Sequence, residues 1–425
     1  MDLKLNDFVT HQGNIMTTYQ DINKTLDVHN HPFAQAHIIQ NDQEALEIAQ
    51  QLSQQFKENA VLRDAERILP FDEVEAFSQS GLWAITVPRQ YGGAEVSSHT
   101  VAKIIALFSG IDGSIGQIPQ NHFYALEVLR NTGTELQKKK LYSEVLQGAR
   151  FGNALAEFKT KTAAQKHTQI NQTEHGYVVN GEKFYCTGSL FAHRIPTLVR
   201  DAEEREYLAF ISADAQGLQR INDWSGFGQK TTGSGTVKFN QVFVESEYVI
   251  RFDTAFSEPT LVGPFAQIMH AAIETGIARA AFEETIERVK QARAWIDANV
   301  ERADQDPLTI YELGRVAADV RASEVLLKQA AQSIDAAKPQ PTVENIAKAS
   351  LDVAKVRAHS TETALKASSK LIELAGSRGS QRADGLDRHW RNVRVHTLHD
   401  ASRWKYYFIG NYVLNNILPP RRGTL

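Results

Sequence analysis

The sequence predicts an α+β multidomain protein in which a helical region, a small antiparallel sheet and a four-helix bundle follow one another. The apolar residues change from helical to alternating spacing after residue 150, and they return to three- and four-residue spacing from about residue 264. No helix of about 10–15 residues separates the strands, which favours antiparallel pairing over a doubly wound fold. We therefore expect four regions: an N-terminal extension (1–40), an N-terminal α-helical domain (41–150), a central β-barrel or sheet domain (151–260) and a C-terminal four-helix bundle (261–425).

Helices are predicted from residue 42 onwards. Asn41-Asp42 is a suitable cap for a helix whose apolar residues between Leu46 and Phe56 share one face. Gly148 is a stop signal that ends the helical region. Between these limits, further helices are predicted over 71–80, near 99–109, near 121–130 and over 134–147.

The central region has the alternating pattern of β-strands. Asn180-Gly181, within GYVVNGEKFYCTG, predicts the two-residue turn of a hairpin. YLAFIS (207–212) and TVKFNQVFV (236–244) are predicted as further strands. The chain then returns to helix, and a four-helix bundle is predicted from the long segments 264–297, 307–337, 341–375 and 387–416.

Composition and charge exclude several classes of protein. The formal net charge is −4, so the basic surplus of a nucleic-acid-binding chain is missing. Cys186 is the single cysteine, which excludes a disulfide framework and cysteine-based metal sites. The apolar runs are shorter than the roughly 20 residues of a membrane helix, and the first residues lack the pattern of a secretory signal. A cytoplasmic protein without membrane contact is expected.

Three histidines, His29, His31 and His37, cluster around Pro32 near the start of the chain. No carboxylate or cysteine completes a ligand set there. We expect them to belong to an extension that packs against the body or frays, and we expect no metal site.

Five strings stand out along the chain. They are GLWAITVPRQYGG, NGEKFYCTG, FGQKTTGSGTVKFNQVFV, GIARAAFEETIERV and ELAGSRGSQRADGLDRHWRNVRVHTLHDASRWK. In this order they resemble the acyl-CoA dehydrogenase superfamily over about residues 40–415. Within that superfamily the sequence is similar to the flavin-dependent monooxygenase branch that includes the dibenzothiophene monooxygenases, and to its sulfur acquisition group.

The resemblance implies a two-component monooxygenase. Such an enzyme uses reduced FMN and dioxygen to oxidise a small organosulfur compound through a C4a-(hydro)peroxyflavin. No nicotinamide-binding motif is visible in the sequence, so a separate NAD(P)H:flavin reductase is expected to supply the reduced flavin. The superfamily usually assembles as a homotetramer, which is the expected state of this chain, with a dimer as the alternative.

Three histidines are the expected catalytic residues by the same resemblance. His399 would donate a proton or hydrogen bond to the flavin-bound oxygen, because a histidine that titrates near pH ~6.5 can do so at neutral pH. His396, at i−3, is the supporting candidate. His122 lies on a predicted helix that overhangs the flavin in the family.

Flavin-ring contacts are expected where NGEKFYCTG ends. Tyr185, Thr187 and Ser189 occupy the positions at which the family places side chains against the ring. Thr187 matches the family threonine directly, and the Ser189 hydroxyl could bond the flavin N5 or its oxygen. Asn153, in FGNALAE, stands near a second strand that borders the ring in the family.

Two arginines are expected at the flavin phosphate. Arg378 occupies a loop in which the dehydrogenases have glycines, and an arginine suits a terminal phosphate better than a pyrophosphate that must pass by. Arg293 resembles an arginine that binds the phosphate from a neighbouring subunit. FMN is therefore the expected cofactor, with FAD as the alternative.

Two other readings of the sequence stay open. An FAD-dependent acyl-CoA dehydrogenase could use Asp400 as its α-proton base, although this carboxylate is one methylene shorter than the family glutamate. A flavin-binding scaffold without turnover is the third reading.

Overall fold

The computed structural model describes residues 36–157 and 167–425. The expected N-terminal extension, with His29 and His31, lies almost entirely outside these residues. His37 is described: its Nε2 lies 2.6 Å from Glu44 Oε1 at the surface.

The N-terminal domain consists of six α-helices. The Asn41 side chain accepts a hydrogen bond from the backbone N–H of Glu44, so the predicted cap of the first helix is confirmed. The helix predicted near 121–130 is the second half of a longer helix that begins at Gly113 and contains Pro119. The helices are α1 (Asp42–Lys57), α2 (Ala60–Glu66), α3 (Phe71–Gln79), α4 (Ser98–Ile111), α5 (Gly113–Thr132) and α6 (Glu135–Leu146).

Within the described ranges, seven strands form one curled sheet in the order β5-β6-β2-β1-β3-β4-β7. All neighbouring pairs are antiparallel except β1 and β3, which meet in parallel at Gln169 and Arg200. The fold class expected from the sequence is confirmed, with this one parallel pair added. The strands are β1 (Gln169–Gln172), β2 (Tyr177–Lys183), β3 (Arg194–Arg200), β4 (Glu206–Ser212), β5 (Leu218–Ile221), β6 (Thr236–Val244) and β7 (Val249–Arg251).

The predicted hairpin turn at Asn180-Gly181 is wrong. Both residues lie inside β2, at a bulge where the pairing with β6 shifts between Val179 and Gly181. Asn180 Oδ1 accepts hydrogen bonds from the backbone and side chain of Gln241 on β6. Gly181 has a φ of +145°, and a Cβ there would lie 2.7 Å from the Cα of Thr168. Asn180 and Gly181 therefore form a bulge at which Gly181 lies close to the backbone of Thr168. A bulge and a tight turn both require glycine, so the sequence alone does not distinguish them.

The C-terminal region contains five helices, because the last predicted segment is broken. Residues 397–402 interrupt it, so His399 and Asp400 lie in a loop and not on a helix. Helices α7, α8 and α9 and the broken fourth segment form the bundle. The helices are α7 (Val262–Gln291), α8 (Pro307–Ala337), α9 (Val343–Leu374), α10 (Asp387–His396) and α11 (Arg403–Asn415).

One continuous apolar core runs from the N-terminal helices through the sheet to the bundle. Among the described residues, no helix combines the length and apolar character needed to cross a membrane. The core fixes α5, α7 and α10 relative to the sheet, and these three helices position the site described next.

Candidate active site

Three histidines from two helices and the following loop lie side by side. His270 Nδ1 on α7 is 3.0 Å from His396 Nε2 on α10. The ring of His399 packs against the ring of His270, with 4.1 Å between centroids. His270 and His396 are buried, whereas His399 is exposed. His399 thus forms the open end of a buried set of imidazoles.

A buried carboxylate holds the other end. Glu274 Oε1, one turn after His270 on α7, is 3.0 Å from His396 Nδ1. Arg357 on α9 donates to the same carboxylate oxygen. The hydroxyls of Ser360 and Thr361 donate to Oε2 at 2.8 and 2.9 Å. We refer to Glu274, His396, His270 and His399, in this spatial order, as the histidine row.

The environment keeps the row uncharged apart from its glutamate. Burial lowers the pKa of His270 and of His396, and neighbouring cationic groups lower both values further. The hydrogen bond from His396 to Glu274 raises the pKa of His396, but the net shift of His396 is still downward. Burial raises the pKa of Glu274, but Arg357 and His396 outweigh it, so this pKa is lowered. Glu274 is therefore an anion, and both buried imidazoles are neutral at pH 7.

The sequence predicts that His399 titrates near its ordinary pKa of 6.5, but the structure lowers this pKa. The protein that surrounds it desolvates the ring and lowers its pKa to about 4, against the attraction of Asp400. Since the ring is open to solvent, water offsets part of this desolvation. At neutral pH His399 is a neutral imidazole, which can donate an N–H hydrogen bond.

Asp400 is held by two cations. Its Oδ1 lies 3.4 Å from Arg357 Nη2, and its Oδ2 lies 3.3 Å from Lys405 Nζ. Burial raises the pKa of Asp400, but Arg357 and Lys405 together lower it below its usual value. A paired carboxylate with a lowered pKa is a weak proton acceptor, which counts against Asp400 as the α-proton base of a dehydrogenase.

His122 does not reach the site. Its Nε2 donates to the Trp83 carbonyl at 2.7 Å, and its Nδ1 accepts from the backbone N–H of Phe151 at 3.0 Å. The ring is fully buried, and burial lowers its pKa to about 3. Both ring nitrogens are used to join α5 to neighbouring backbone, which counts against the expected catalytic role of His122.

The expected flavin-ring residues lie in the turn that follows β2. The Thr187 hydroxyl is 2.8 Å from that of Ser234, which is 2.7 Å from that of Thr232. Ser189 is buried beside the Gly233 carbonyl. Tyr185 is 44% exposed and has a φ of +58°. This left-handed backbone turns the aromatic ring outward next to a row of buried hydroxyls.

Asn153 supports the same turn. Its Nδ2 donates to the Tyr185 carbonyl at 3.4 Å. Of the other residues in its segment, Glu157 is paired with the buried Lys183 at 2.6 Å. Cys186 is also buried, and burial raises the pKa of its thiol, so we assign it to packing.

The residues present fit a flavin. Ile118 on α5 approaches Gly188, which has a left-handed φ of +76°. The turns of α5 around Ile118 carry Gln117 and Gln120, whose buried amide oxygens have no hydrogen-bond partner among the described residues. Hydroxyls, an outward aromatic ring and unpartnered buried amides are what a polar, planar heterocycle requires.

Helix α10 connects this turn to the histidine row. Asn392, one turn before His396, accepts a hydrogen bond from the Gln229 backbone at 2.7 Å. Gln229 lies in the loop between β5 and β6, which also carries Ser234, the partner of Thr187. Residues distant in sequence are thereby held to the same side of the molecule.

Arg293 and Arg378 lie elsewhere. Both are exposed and follow the C-terminal ends of α7 and α9. No hydrogen bond joins either arginine to the flavin-ring residues of the described chain. Their expected contact with the flavin phosphate stays a prediction.

Sequence reasoning missed His270, Glu274 and Arg357. His270 and Glu274 are spaced i, i+4 in a buried stretch of α7, from Val262 to Ala278, that has no other ionisable residue. Two ionisable residues on one buried helix face are a signal for a site. Arg357 offers no comparable signal in the sequence, because its partner lies 83 residues away.

The helical domain, curled sheet and bundle, with a flavin-compatible turn beside a histidine row, define a flavin-dependent oxidoreductase. Comparisons with known proteins agree. The N-terminal domain of acyl-CoA dehydrogenases matches residues 41–149, and the C-terminal domain matches residues 268–404. The chain belongs to the acyl-CoA dehydrogenase family, within its flavin-dependent monooxygenase branch.

Three similar proteins illustrate this placement. Dibenzothiophene monooxygenase of Mycolicibacterium goodii is 30% identical over 88% of this chain and 94% of its own length. A probable FMNH2-dependent monooxygenase, SfnC of Pseudomonas putida, is 27% identical over 88% of this chain and 96% of its own. The FMN-bound structure of TdsC from Paenibacillus sp. A11-2 has a TM-score of 0.85 at 27% identity, covering 90% of this chain and 100% of that one.

Proposed function

We propose that this protein is a reduced-FMN-dependent monooxygenase that oxidises a small organosulfur compound with dioxygen. The observation that carries the proposal is the neutral His399, exposed at the end of a buried row, where a dehydrogenase would need a free carboxylate. The relatives named above, a dibenzothiophene monooxygenase and FMN-dependent proteins, support the same chemistry and cofactor.

The residues of the site have separate tasks in this proposal. Bound reduced FMN supplies the electrons with which dioxygen is activated. Thr187 and Ser189 offer hydroxyl groups to the polar edge of the ring, and Tyr185 covers its face. Asn153 fixes the Tyr185 carbonyl and so the shape of the turn.

His399 then acts on the reacting oxygen. As a neutral imidazole with an N–H, it donates a hydrogen bond to oxygen that is transferred to sulfur.

A second subunit is part of the proposal. Helix α11 and the following residues present exposed apolar side chains, among them Val413 at 78% and Leu414 at 82% exposure. An apolar patch of this kind marks an interface. We propose a homotetramer in which Arg293 and Arg378 bind the FMN phosphate across subunits, and a separate NAD(P)H:flavin reductase that supplies the reduced flavin.

The first test mixes the purified protein with reduced FMN without oxygen and then admits dioxygen in a stopped-flow spectrometer. We expect a flavin absorbance distinct from that of oxidised FMN that outlasts the reaction of free reduced FMN. Dibenzothiophene, dimethyl sulfide and dimethyl sulfone are added as probes under 18O2, and mass spectrometry should find one labelled oxygen in the product. Immediate return of oxidised FMN with every probe, and no labelled product, contradicts the proposal.

A further inference from the structure

The direction of the hydrogen bonds in the histidine row is fixed by its buried carboxylate. Ionised Glu274 can only accept hydrogen bonds, so the 3.0 Å contact requires the proton of His396 to be on Nδ1. A neutral His396 then has a lone pair on Nε2. His270 Nδ1, at 3.0 Å from that atom, must carry a proton and donate it.

This arrangement leaves His270 with an unprotonated Nε2. Its ring lies under that of His399 at 4.1 Å with a tilt of 38°. The charged groups that face the row are Glu274 on α7, Arg357 on α9, Asp400 in the loop and Lys405 on α11. Their charges balance, so a neutral His270 supports His399 without repelling a proton on it.

We propose that Glu274 and His270 are positioning residues for the oxygen-transfer reaction. Glu274 and His270 hold His396 between them in a single tautomer, so that all hydrogen bonds of the row run in one direction. The His270 ring, fixed in this way, packs against His399 and holds it in the orientation that reaches the reacting oxygen. This inference rests on the proposed function and adds to it two residues that make no contact with flavin or substrate themselves.

The same two helices provide a matched control. Glu284 on α7 contacts Nε2 of the buried His389 on α10 at 2.9 Å, and Arg388 contacts Glu284 at 3.0 Å. This is a second set of glutamate, histidine and arginine, in which the histidine is buried and the glutamate and arginine are partly exposed, and it has no contact with His399. Removing its carboxylate tests the structural cost of such a set without touching the histidine row.

The tautomers can be measured without flavin. Imidazole-15N NMR of histidine-labelled, flavin-free protein at pH 7 should show His270 and His396 as neutral rings protonated on Nδ1. The His270 signals are assigned by their loss in His270→Gln, and the His396 signals by their shift in Glu274→Gln. An Nε2-protonated or doubly protonated ring at either position would overturn the inference.

Turnover provides the second readout. Glu274→Gln should lower the yield of oxygenated product per reduced FMN by about 10²-fold, with hydrogen peroxide in its place, because an amide no longer imposes one tautomer. FMN affinity and the KM for the accepted probe should not change. Glu284→Gln should keep the wild-type yield.

A pair of variants at His270 separates positioning from folding. Glutamine can donate to His396 Nε2 as His270 does, so His270→Gln should retain at least 10-fold more product than His270→Leu. Equal yields in this pair, or equal yields in Glu274→Gln and Glu284→Gln, contradict the inference even when the wild type is active. A wild type without oxygenated product contradicts the proposed function instead.

Discussion

His399 owes its properties to residues from four helices and not to its own segment. His270 and Glu274 come from α7, Arg357 from α9, and His396 from α10. Lys405, on α11, binds Asp400 and so fixes the loop that carries His399. Single substitutions at this scale test whether the site works as described.

His399→Ala should preserve FMN binding and lose product. Without the imidazole N–H, the reacting oxygen loses a hydrogen bond, so product per reduced FMN should fall by about 10²-fold while hydrogen peroxide rises. The measurement compares product, peroxide and consumed oxygen. His175→Ala removes an exposed histidine in the β1–β2 turn and should behave as the wild type. Unchanged product in His399→Ala would remove this residue from the mechanism.

His122 should make the folded protein sensitive to acid. Burial holds its pKa at about 3, whereas the unfolded chain has the ordinary value of 6.5. Below pH ~6.5 His122 therefore binds a proton in the unfolded state but not in the folded state. The unfolding free energy decreases as the pH falls toward the folded-state pKa. At pH 5 this one group should cost about 2 kcal/mol of unfolding free energy.

Thermal unfolding at pH 7 and pH 5 measures this effect. His122→Gln should unfold at a lower temperature than the wild type at pH 7, because the two backbone contacts are weakened. Between pH 7 and pH 5, the unfolding temperature of His122→Gln should fall by less than that of the wild type. An equal loss in both proteins would place the acid sensitivity elsewhere.

Single elements show where tertiary contacts override local signals. Asn180-Gly181 has the composition of a tight turn, but its neighbours on both sides are paired with β6. The last bundle segment keeps helical apolar spacing, but residues 397–402 leave the helix, and Asp400 there pairs with Arg357 and Lys405. In both cases long-range pairs decided the local conformation.

Gly181→Ala tests the bulge. A methyl group would meet Thr168 at 2.7 Å on a backbone with a φ of +145°. We expect a loss of about 1–3 kcal/mol in unfolding free energy, measured by thermal or urea unfolding. Gly314→Ala is the control, since a Cβ there meets nothing within 4 Å in the interior of α8. It should be neutral or stabilising.

The whole molecule exposes an apolar segment and two arginines that bear on the proposed assembly. The apolar residues of α11 are exposed in the described chain, as are Arg293 and Arg378. The proposed tetramer would bury the apolar residues of α11. It would also bring Arg293 and Arg378 to the flavin phosphate. This arrangement makes FMN affinity depend on assembly.

Arg378→Ala tests the phosphate contact. Loss of a charge-assisted hydrogen bond should weaken FMN binding about 10-fold or more, measured by fluorescence titration. Arg382→Ala removes another exposed arginine four residues away and should bind FMN as the wild type does. If Arg378→Ala and Arg293→Ala both stay tetrameric and bind FMN normally, the phosphate lies elsewhere.

Assembly is tested at α11. The substitutions Val413→Glu and Leu414→Glu should dissociate the proposed tetramer, because the interface would then bury unpaired carboxylates. Sedimentation velocity should then show a smaller species with weaker FMN binding. Leu136→Glu alters an exposed apolar residue of α6 and should leave the assembly intact. A dissociated protein with full FMN affinity contradicts the cross-subunit site.

The sequence by itself determined the order of helical domain, sheet and bundle, because apolar periodicity is a local property that survives without knowledge of contacts. It also pointed to the family and to His399, through short strings near the end of the chain. Only the tertiary structure decided that both ring nitrogens of His122 contact backbone, that Asp400 pairs with two cations, and that His399 has a lowered pKa. These properties depend on burial and on charges brought together from distant segments, which spacing along the chain does not encode.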